Sequence, residues 1–363
     1  MSRPSRLADV ARQAGVSEAT ASRVFNGKPG VAPATRASVL EALDMLGYDR
    51  PTRLRARSAG LVGLIVPELI NPVFPAFAQA IENALSTSGY TPVLCTQAPG
   101  GIHEDEYVEM LLERGVAGII YVSGHHANLH SDISRYLDVI AKGVPIVLVS
   151  GFREGIPAPF VSNDERVGMS LVIAHLTALG HRRIGLVVGP ERYVPVTLKV
   201  ASFRQSMHEL AGVEAGDDLI AESFFTVDGG AAGAARLLDR GCTAIVCASD
   251  LMALGAIAEA RRRGLKVPGD VSVVGADDSL LMAHTDPPLT TTRANVVAMG
   301  EAAVDALLAA LGGTPSAVAE LVFRPELIVR GSTGPAPARG GRAPAGQASA
   351  GQASTAAARS AAT

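Results

Sequence analysis

The 363-residue sequence predicts an all-α helix-turn-helix head followed by a two-lobed α/β core of parallel sheets covered by helices. Three observations carry this reading. The first 47 residues hold three helix patterns separated by glycine-containing breaks. From Leu61 onward, short apolar runs alternate with longer amphipathic ones, as expected of parallel strands buried on both faces. Charge is also divided: residues 1–60 carry ten Lys/Arg against five acids, a net +5, and the remainder carries 22 against 30, a net −8. A basic head on an acidic body suits a polyanion-binding module joined to a second function.

The first helix pattern places Leu7, Val10, Ala11 and Ala14 on one stripe. Gly15-Val16 breaks it, glycine supplying the left-handed turn and valine a plug. Ser17 is a good N-cap for the second helix, and Glu18 sets a carboxylate at its positive end. Ala21, Val24 and Phe25 face inward there, while Glu18, Ala19, Ser22, Arg23 and Asn26 face outward. A third helix runs from Pro33 to Leu46 with Val39, Leu40, Leu43 and Leu46 as its stripe, and Gly47 ends it. In a helix-turn-helix the second helix enters the major groove of double-stranded DNA. Arg23 then forks onto a guanine edge and Glu18 accepts from a cytosine amine. Ser17, Thr20, Ser22 and Asn26 suit phosphates, which fix register without reading sequence.

Residues 48–60, containing "YDRPTRLRARSAG", form a basic connector. In the core, strand-like runs are "LVGLIVP", "TPVLCTQ", "VAGIIYVS", "PIVLVSG", "RIGLVVGP", "AIVCAS" and "DVSVVGADD". Helical segments are read over Phe74–Thr87, Glu104–Arg114, Glu165–Leu179, Val200–Ala211, Gly230–Arg240 and Leu251–Arg263. The core is thus 61–333, with lobe 1 over about 61–160 and 292–322 and lobe 2 over about 161–291 and 323–333. A ligand is expected at the carboxyl ends of the strands, in a cleft between the lobes. Residues 334–363 have almost no side chain larger than Ala that could be buried and are expected to be disordered.

Composition narrows the class. Hydrophobic residues at 48% and charged residues at 18% suit packed domains, and the length exceeds a single core. No apolar run approaches the ~18 residues of a membrane span. Cys95, Cys242 and Cys247 stand in apolar contexts and in no metal-ligand spacing. With "MSRPSRLADVARQAG" lacking the apolar stretch of a secretory signal, the expected location is the cytoplasm, at the nucleoid. There is no Gly-x-Ser-x-Gly elbow, no phosphate-binding Gly-x-x-x-x-Gly-Lys and no Gly-x-Gly-x-x-Gly after the first strand, so no enzyme and no cofactor are expected. Adjacent His125 and His126 point apart on any regular element, and no metal is expected there.

The stretch "LADVARQAGVSEATASRVFNG" resembles the N-terminal signature of the LacI/GalR family of bacterial transcription regulators, through Ala11, Gly15-Val16-Ser17, Thr20, Ser22-Arg23-Val24 and Asn26. Ala21 replaces a usual Val. The resemblance puts Glu18 and Ala19 at the two positions that vary with operator sequence. It continues through "VGLIVPELINPVFPAF", "HLTALGHRRIGLVVGP", "TAIVCASDLMALGAIAEARRRGLKVPGDVSVVGADDS", "DPPLTTTRANVVAMGEAAVDALL" and "ELIVRGS", which are similar to the family's periplasmic-binding-protein-like core. It implies that the chain returns to the first lobe after "LTTTR" and that "ELVFRPELIVR" is a strand of the second.

The resemblance also implies a hinge helix on DNA with a leucine wedged in the minor groove. The connector is about three residues short of that pattern, and counting back from Gly63 puts Leu54 and Arg55 at the wedge. A plain tether is the alternative. In the core it implies an effector, a sugar or related polyol, held by Phe74, Phe225 and the hydroxyl-binding Asp277, with Asp164 as a further carboxylate. Lys199 stands where the family has Arg, Ser202 replaces a Gly, and Ser249 replaces the Asn of its "ANDxMA" motif; Lys199 and Ser249 are kept as effector residues. The two phenylalanines could instead be core, and Asp250 reads as a helix N-cap. The expected protein is a homodimeric, sequence-specific transcriptional regulator, a repressor, on a palindromic operator, because one head buries too little to be specific. A sugar-binding protein without a DNA role and an α/β enzyme are the competing classes.

Overall fold

The computed structural model describes residues 6–28, 30–48, 59–97, 102–314 and 319–338. Leu54 and Arg55 therefore lie outside the described residues. Contacts divide the chain into two compact units, one made of Met1–Val167, Glu191–Leu198 and Ala294–Pro325, the other of Gly168–Pro190, Lys199–Arg293 and Glu326–Thr363.

The head within the first unit is three helices, α1 (Arg6–Gln13), α2 (Glu18–Phe25) and α3 (Pro33–Met45). Val10, Ala11, Ala21, Val24, Val39, Ala42 and Leu43 close into one buried cluster. Gly15 at φ +65 makes the turn between α1 and α2, and the Val16 N–H donates back to the Ala11 carbonyl at 2.9 Å. Ala21 is fully buried, so helix α2 approaches its neighbours closely at that point. Leu46 departs from the expected stripe: it is the C-cap of α3 and is exposed. The helix ends one residue earlier, and Leu46 no longer lies on its inward face.

The first unit also contains a six-stranded parallel sheet in the order β11-β5-β4-β3-β1-β2. Its strands are β1 (Leu61–Val66), β2 (Thr91–Thr96), β3 (Gly118–Val122), β4 (Ile146–Val149), β5 (Phe160–Asn163) and β11 (Glu320–Phe323). Alternate side chains serve the two faces, as a period of two requires. Val62, Leu64, Val66, Ile120 and Val147 meet α4 (Val73–Thr87) and α11 (Val296–Leu311) on one side. Ile65, Ile119, Ile146, Leu148 and Phe160 meet α5 (Glu104–Glu113) and α6 (Ser134–Ala141) on the other.

The second unit repeats the plan in the order β12-β10-β9-β8-β6-β7. Its strands are β6 (Ile184–Val188), β7 (Ile220–Glu222), β8 (Ala244–Cys247), β9 (Ser272–Ala276), β10 (Thr290–Arg293) and β12 (Glu326–Ile328). Only β12 runs antiparallel. The helices are α9 (Val227–Asp239), α10 (Asp250–Arg262) and the greater part of α7 (Glu165–Ala178) and α8 (Val194–Ser206), whose first residues count with the first unit. Helices α9 and α10 touch backbone to backbone: a Cβ on Gly255 would stand 1.9 Å from the Val227 carbonyl oxygen.

Several boundaries differ from the sequence reading. The run "ELVFRPELIVR" is two strands: Glu320–Phe323 pairs with β5 in the first sheet, and Glu326–Ile328 pairs with β10 in the second. Pro325 stands where one sheet is left for the other, since proline cannot supply the ladder donor that an unbroken strand needs. Residues 160–163 also belong to the first sheet. Helix α8 begins six residues before the expected Val200, and a π-turn over Met207–Ala211 follows it. The elements α6, β5 and β7 were not among the segments read from the sequence.

The expected disorder from Gly334 onward fails at its first residues. His181 is fully buried, its ring bonded to Thr243 Oγ1 (2.9 Å), Ser272 Oγ (3.0 Å) and the Gly334 carbonyl (3.0 Å). The Gly334 N–H donates to Ser272 Oγ at 3.0 Å, and the Ala336 N–H to the Leu179 carbonyl at 2.8 Å. A chain ending at Thr333 leaves buried His181 and Ser272 short of partners, and should lose about 1–3 kcal/mol of stability. A chain ending at Ala338 keeps those bonds and should melt like the parent, as differential scanning calorimetry would report.

His126 is enclosed in the first unit, its ring edge-on to Tyr136 and Phe160. Burial pushes its pKa from the ordinary 6.5 down to about 3. The unfolded chain therefore binds a proton that the folded unit refuses, and stability falls as pH drops from about 6.5 toward 3. His126→Leu should flatten part of that decline in pH-dependent urea unfolding; an unchanged slope would assign it to other groups.

Candidate nucleic-acid interface and effector site

On the head, Ser17 is the N-cap of α2, its Oγ accepting from the Thr20 N–H at 3.2 Å and lying 2.9 Å from Thr20 Oγ1. At the other end, Asn26 Nδ2 donates to the Ser22 carbonyl (2.9 Å) and Ser22 Oγ (3.2 Å). Ser17 is thus the N-cap expected of it, and Asn26 closes the other end of the helix on Ser22. Glu18, Ala19, Arg23 and Asn26 are exposed along α2, and Thr20 and Ser22 are half-buried. Arg36 on α3 reaches the Lys28 carbonyl at 3.2 Å and braces the segment that follows α2. All seven head residues named from the sequence therefore lie on one short, capped helix.

In the second unit the predicted residues gather where the strands end. Phe225, after β7, lays its ring on Gly189 at the end of β6: a Cβ there would stand 2.0 Å from Cε2. Ser249 follows β8 and is buried, its Oγ accepting from the Met252 N–H at 3.3 Å. Ser249 is therefore the N-cap of α10, a role the sequence reading gave to Asp250. Asp250 is instead the first helical residue, fully buried. Its carboxylate accepts from Thr291 Oγ1 and from the Ser279 N–H, both at 2.7 Å. Desolvation raises its pKa above the carboxylate range, against the pull of those two bonds. Lys199 is half-buried on α8.

Past β9 the backbone turns through two non-glycine residues at positive φ, Asp277 (107°) and Asp278 (54°). Such values are uncommon for residues with a side chain and persist where surroundings over-determine them. The Asp277 N–H donates to the Thr292 carbonyl at 2.8 Å. The Asp278 carboxylate, 6% exposed, meets Arg293 Nε at 2.7 Å and Arg330 at 2.6 Å. Sequence reading singled out Asp277 but missed the clamp on its neighbour. The doublet "DD" before Ser279 was the available signal, but its arginine partners stand 15 and 52 residues downstream.

The first unit contributes fewer of the predicted groups. Phe74 opens α4, half-buried and packed against the apolar cluster of that face. Asp164 accepts from the Val167 N–H at 2.9 Å, so one of its oxygens caps α7. Glu104, fully buried, accepts from Tyr136 Oη (2.6 Å), the His125 N–H (2.9 Å) and Gln97 Nε2 (3.2 Å), closing the loop after β3. Among the described residues no group of three or more His, Cys, Asp and Glu is placed to hold a metal. No described helix is long and apolar enough to cross a membrane.

Residues 6–50 match the family described as bacterial regulatory proteins, lacI family, and residues 173–333 match the periplasmic binding protein-like domain. The HTH-type transcriptional regulator reg1 of Streptomyces lividans is 61% identical over 93% of this chain and 99% of its own. This chain belongs to the LacI family of bacterial transcriptional regulators. MalR of Streptomyces coelicolor is 61% identical over the same 93% of this chain and 99% of its own length. Among solved structures, the regulator CelR in complex with cellobiose superposes with a TM-score of 0.68 at 33% identity, covering 91% of this chain and 100% of its own. The lac repressor dimer bound to operator and the anti-inducer ONPF gives 0.66 at 29%, over 92% and 100%. Like other LacI-family members, this protein pairs a DNA-binding helix-turn-helix with a core of two parallel-sheet α/β lobes.

Losing the Ser249 cap in Ser249→Ala should cost about 1 kcal/mol. Calorimetry on the full chain checks this, and a variant that melts like the parent would show that α10 starts without the cap.

Proposed function

We propose that this regulator is a homodimeric repressor that grips a palindromic operator and is switched by a small carbohydrate. The observation that carries this reading is α2, which turns Glu18, Ala19, Arg23 and Asn26 to solvent from a helix capped at Ser17. Arg23 supplies the guanine fork, Glu18 and Ala19 vary the base contacts, and Ser17, Thr20, Ser22 and Asn26 serve phosphates. A two-fold dimer repeats the head at two half-sites. The solved lac repressor is a dimer on operator DNA, CelR holds cellobiose and a further LacI-family structure holds ribose, which supports both partners.

Residues 1–47 form the DNA head, 48–60 the hinge and 61–333 the effector and dimerisation core. In the hinge, Leu54 and Arg55 take the minor groove, an assignment that rests on the family pattern and on the arginines around them. At the strand ends of the core, Phe74 and Phe225 offer apolar platforms, Asp277 accepts sugar hydroxyls and Lys199 adds a point charge. Asp164 and Ser249, whose oxygens cap helices, shape the loops beneath the ligand. The protein performs no catalysis and works in the cytoplasm on DNA.

The test is a gel shift with DNA from the protein's own promoter region, with and without cellobiose, maltose, ribose and galactose. Arg23→Ala should cost about 1–3 kcal/mol on the operator and relax one base-pair preference. An equal loss on random DNA would reduce Arg23 to a phosphate contact. Asp277→Ala should remove the thermal shift that the active sugar produces and leave DNA binding in place. A variant that still shifts would take Asp277 out of the site.

A further inference from the structure

We propose that Asp278 and Arg293 are positioning residues that tie the effector loop to two of the five places where the chain passes between its units, those after Arg293 and before Glu326. The proposal rests on the reading above that Asp277 contacts the effector. Arg293 is the last residue of the second unit before the chain leaves it, and Glu326 is the first after it returns. These two residues are partners in the antiparallel β10–β12 pair, and their side chains stand 3.7 Å apart as an ion pair. Arg293 simultaneously holds Asp278, the neighbour of Asp277. Arg330, just beyond β12, grips the other Asp278 oxygen and donates to the Leu289 carbonyl at 2.8 Å, just before β10.

The loop is therefore fastened to both strands that flank the crossings. The Asp277 N–H is bonded to Thr292, the Asp278 carboxylate to Arg293 and Arg330, and the Ser279 N–H to Asp250, which also holds Thr291. With Asp278 only 6% exposed, water cannot substitute for the arginines. Asp277 and Asp278 are both at positive φ, a conformation that persists only where the surroundings hold it, and here those surroundings are the strand β10 and Arg330 just beyond β12. A ligand that draws on Asp277 must move Asp278 or be resisted by it, and either effect is felt at Arg293, beside the exit. The planar guanidinium suits this, since its rigid fork sets Nε toward Asp278 and Nη1 toward Glu326 at once, a geometry that an ammonium does not preset.

The experiment begins with the full-length chain and no ligand, by amide hydrogen exchange on Asp278→Asn and Arg293→Met. Exchange should quicken by about tenfold in three places together, residues 277–280, 290–293 and 326–330, with β6 and β8 unchanged. Arg293→Lys should restore part of the protection. Quickening confined to 277–280, or spread evenly over the second unit, overturns the proposal. A second arm uses cellobiose as the probe. Arg293→Met should bind cellobiose within about threefold of the parent yet lose the roughly 5- to 150-fold change in DNA affinity typical of coupled sites. An Arg293→Met protein that responds to cellobiose like the parent also overturns it. If the parent binds no sugar, the effector reading fails, and the exchange pattern alone decides whether the loop is tied to the crossings.

Discussion

A parallel strand can join its neighbour only through a crossover long enough to carry a helix, so each six-stranded sheet is sheathed on both faces. What is left open is the rim where the strands end and the helices begin. There the backbone is irregular, helix N-termini offer N–H groups, and polar side chains can stand without burying a charge unpaired. In the second unit this rim holds Phe225, Ser249, Asp250, Asp277 and Asp278. The same constraint makes the strands nearly featureless in sequence, because a residue buried on either face is simply apolar.

The polar groups at the rim divide by what they are bonded to. Asp250, Glu104 and Asp278 are buried carboxylates, and every one has partners: a hydroxyl and an amide for Asp250, a phenol and two further donors for Glu104, two arginines for Asp278. Each anchors a loop, since removing a partner from a buried charge costs several times what forming the bond gains. Asp277 is half-buried and stands on a backbone turn that its anchored neighbour enforces. The anchors on either side hold Asp277 in one backbone geometry.

Much of the head was legible because its signals are local. The stripe through Val10, Ala11, Val24, Val39 and Leu43, the break at Gly15 and the cap at Ser17 each need only a few residues of context. In the core, the long helices and apolar strands were legible for the same reason. The strand β7 was not, having three residues, too few for a period to declare itself. The candidate site was half legible. Asp277 and Phe225 were named from sequence, but the cap of α10 is Ser249 and not Asp250, because either residue type can cap a helix and only the backbone angles decide which one does.

By itself, then, the sequence determined whatever depends on spacing along the chain: helix stripes, caps, turn glycines, alternation of strand with helix, and a basic head on an acidic body. Only the tertiary structure decided what depends on residues far apart. It divided the run from Glu320 to Arg330 between two sheets, because each half finds a different partner strand. It ordered Gly334 and Ala336, which carry no apolar signal, because the buried His181 and Ser272 and the end of α7 need their backbone groups. It joined Asp278 to Arg293 and Arg330, since a buried carboxylate must find its counter-charges wherever the fold brings them. Hydrogen bonds and ion pairs act through space, and their partners are set by the packing of the sheets.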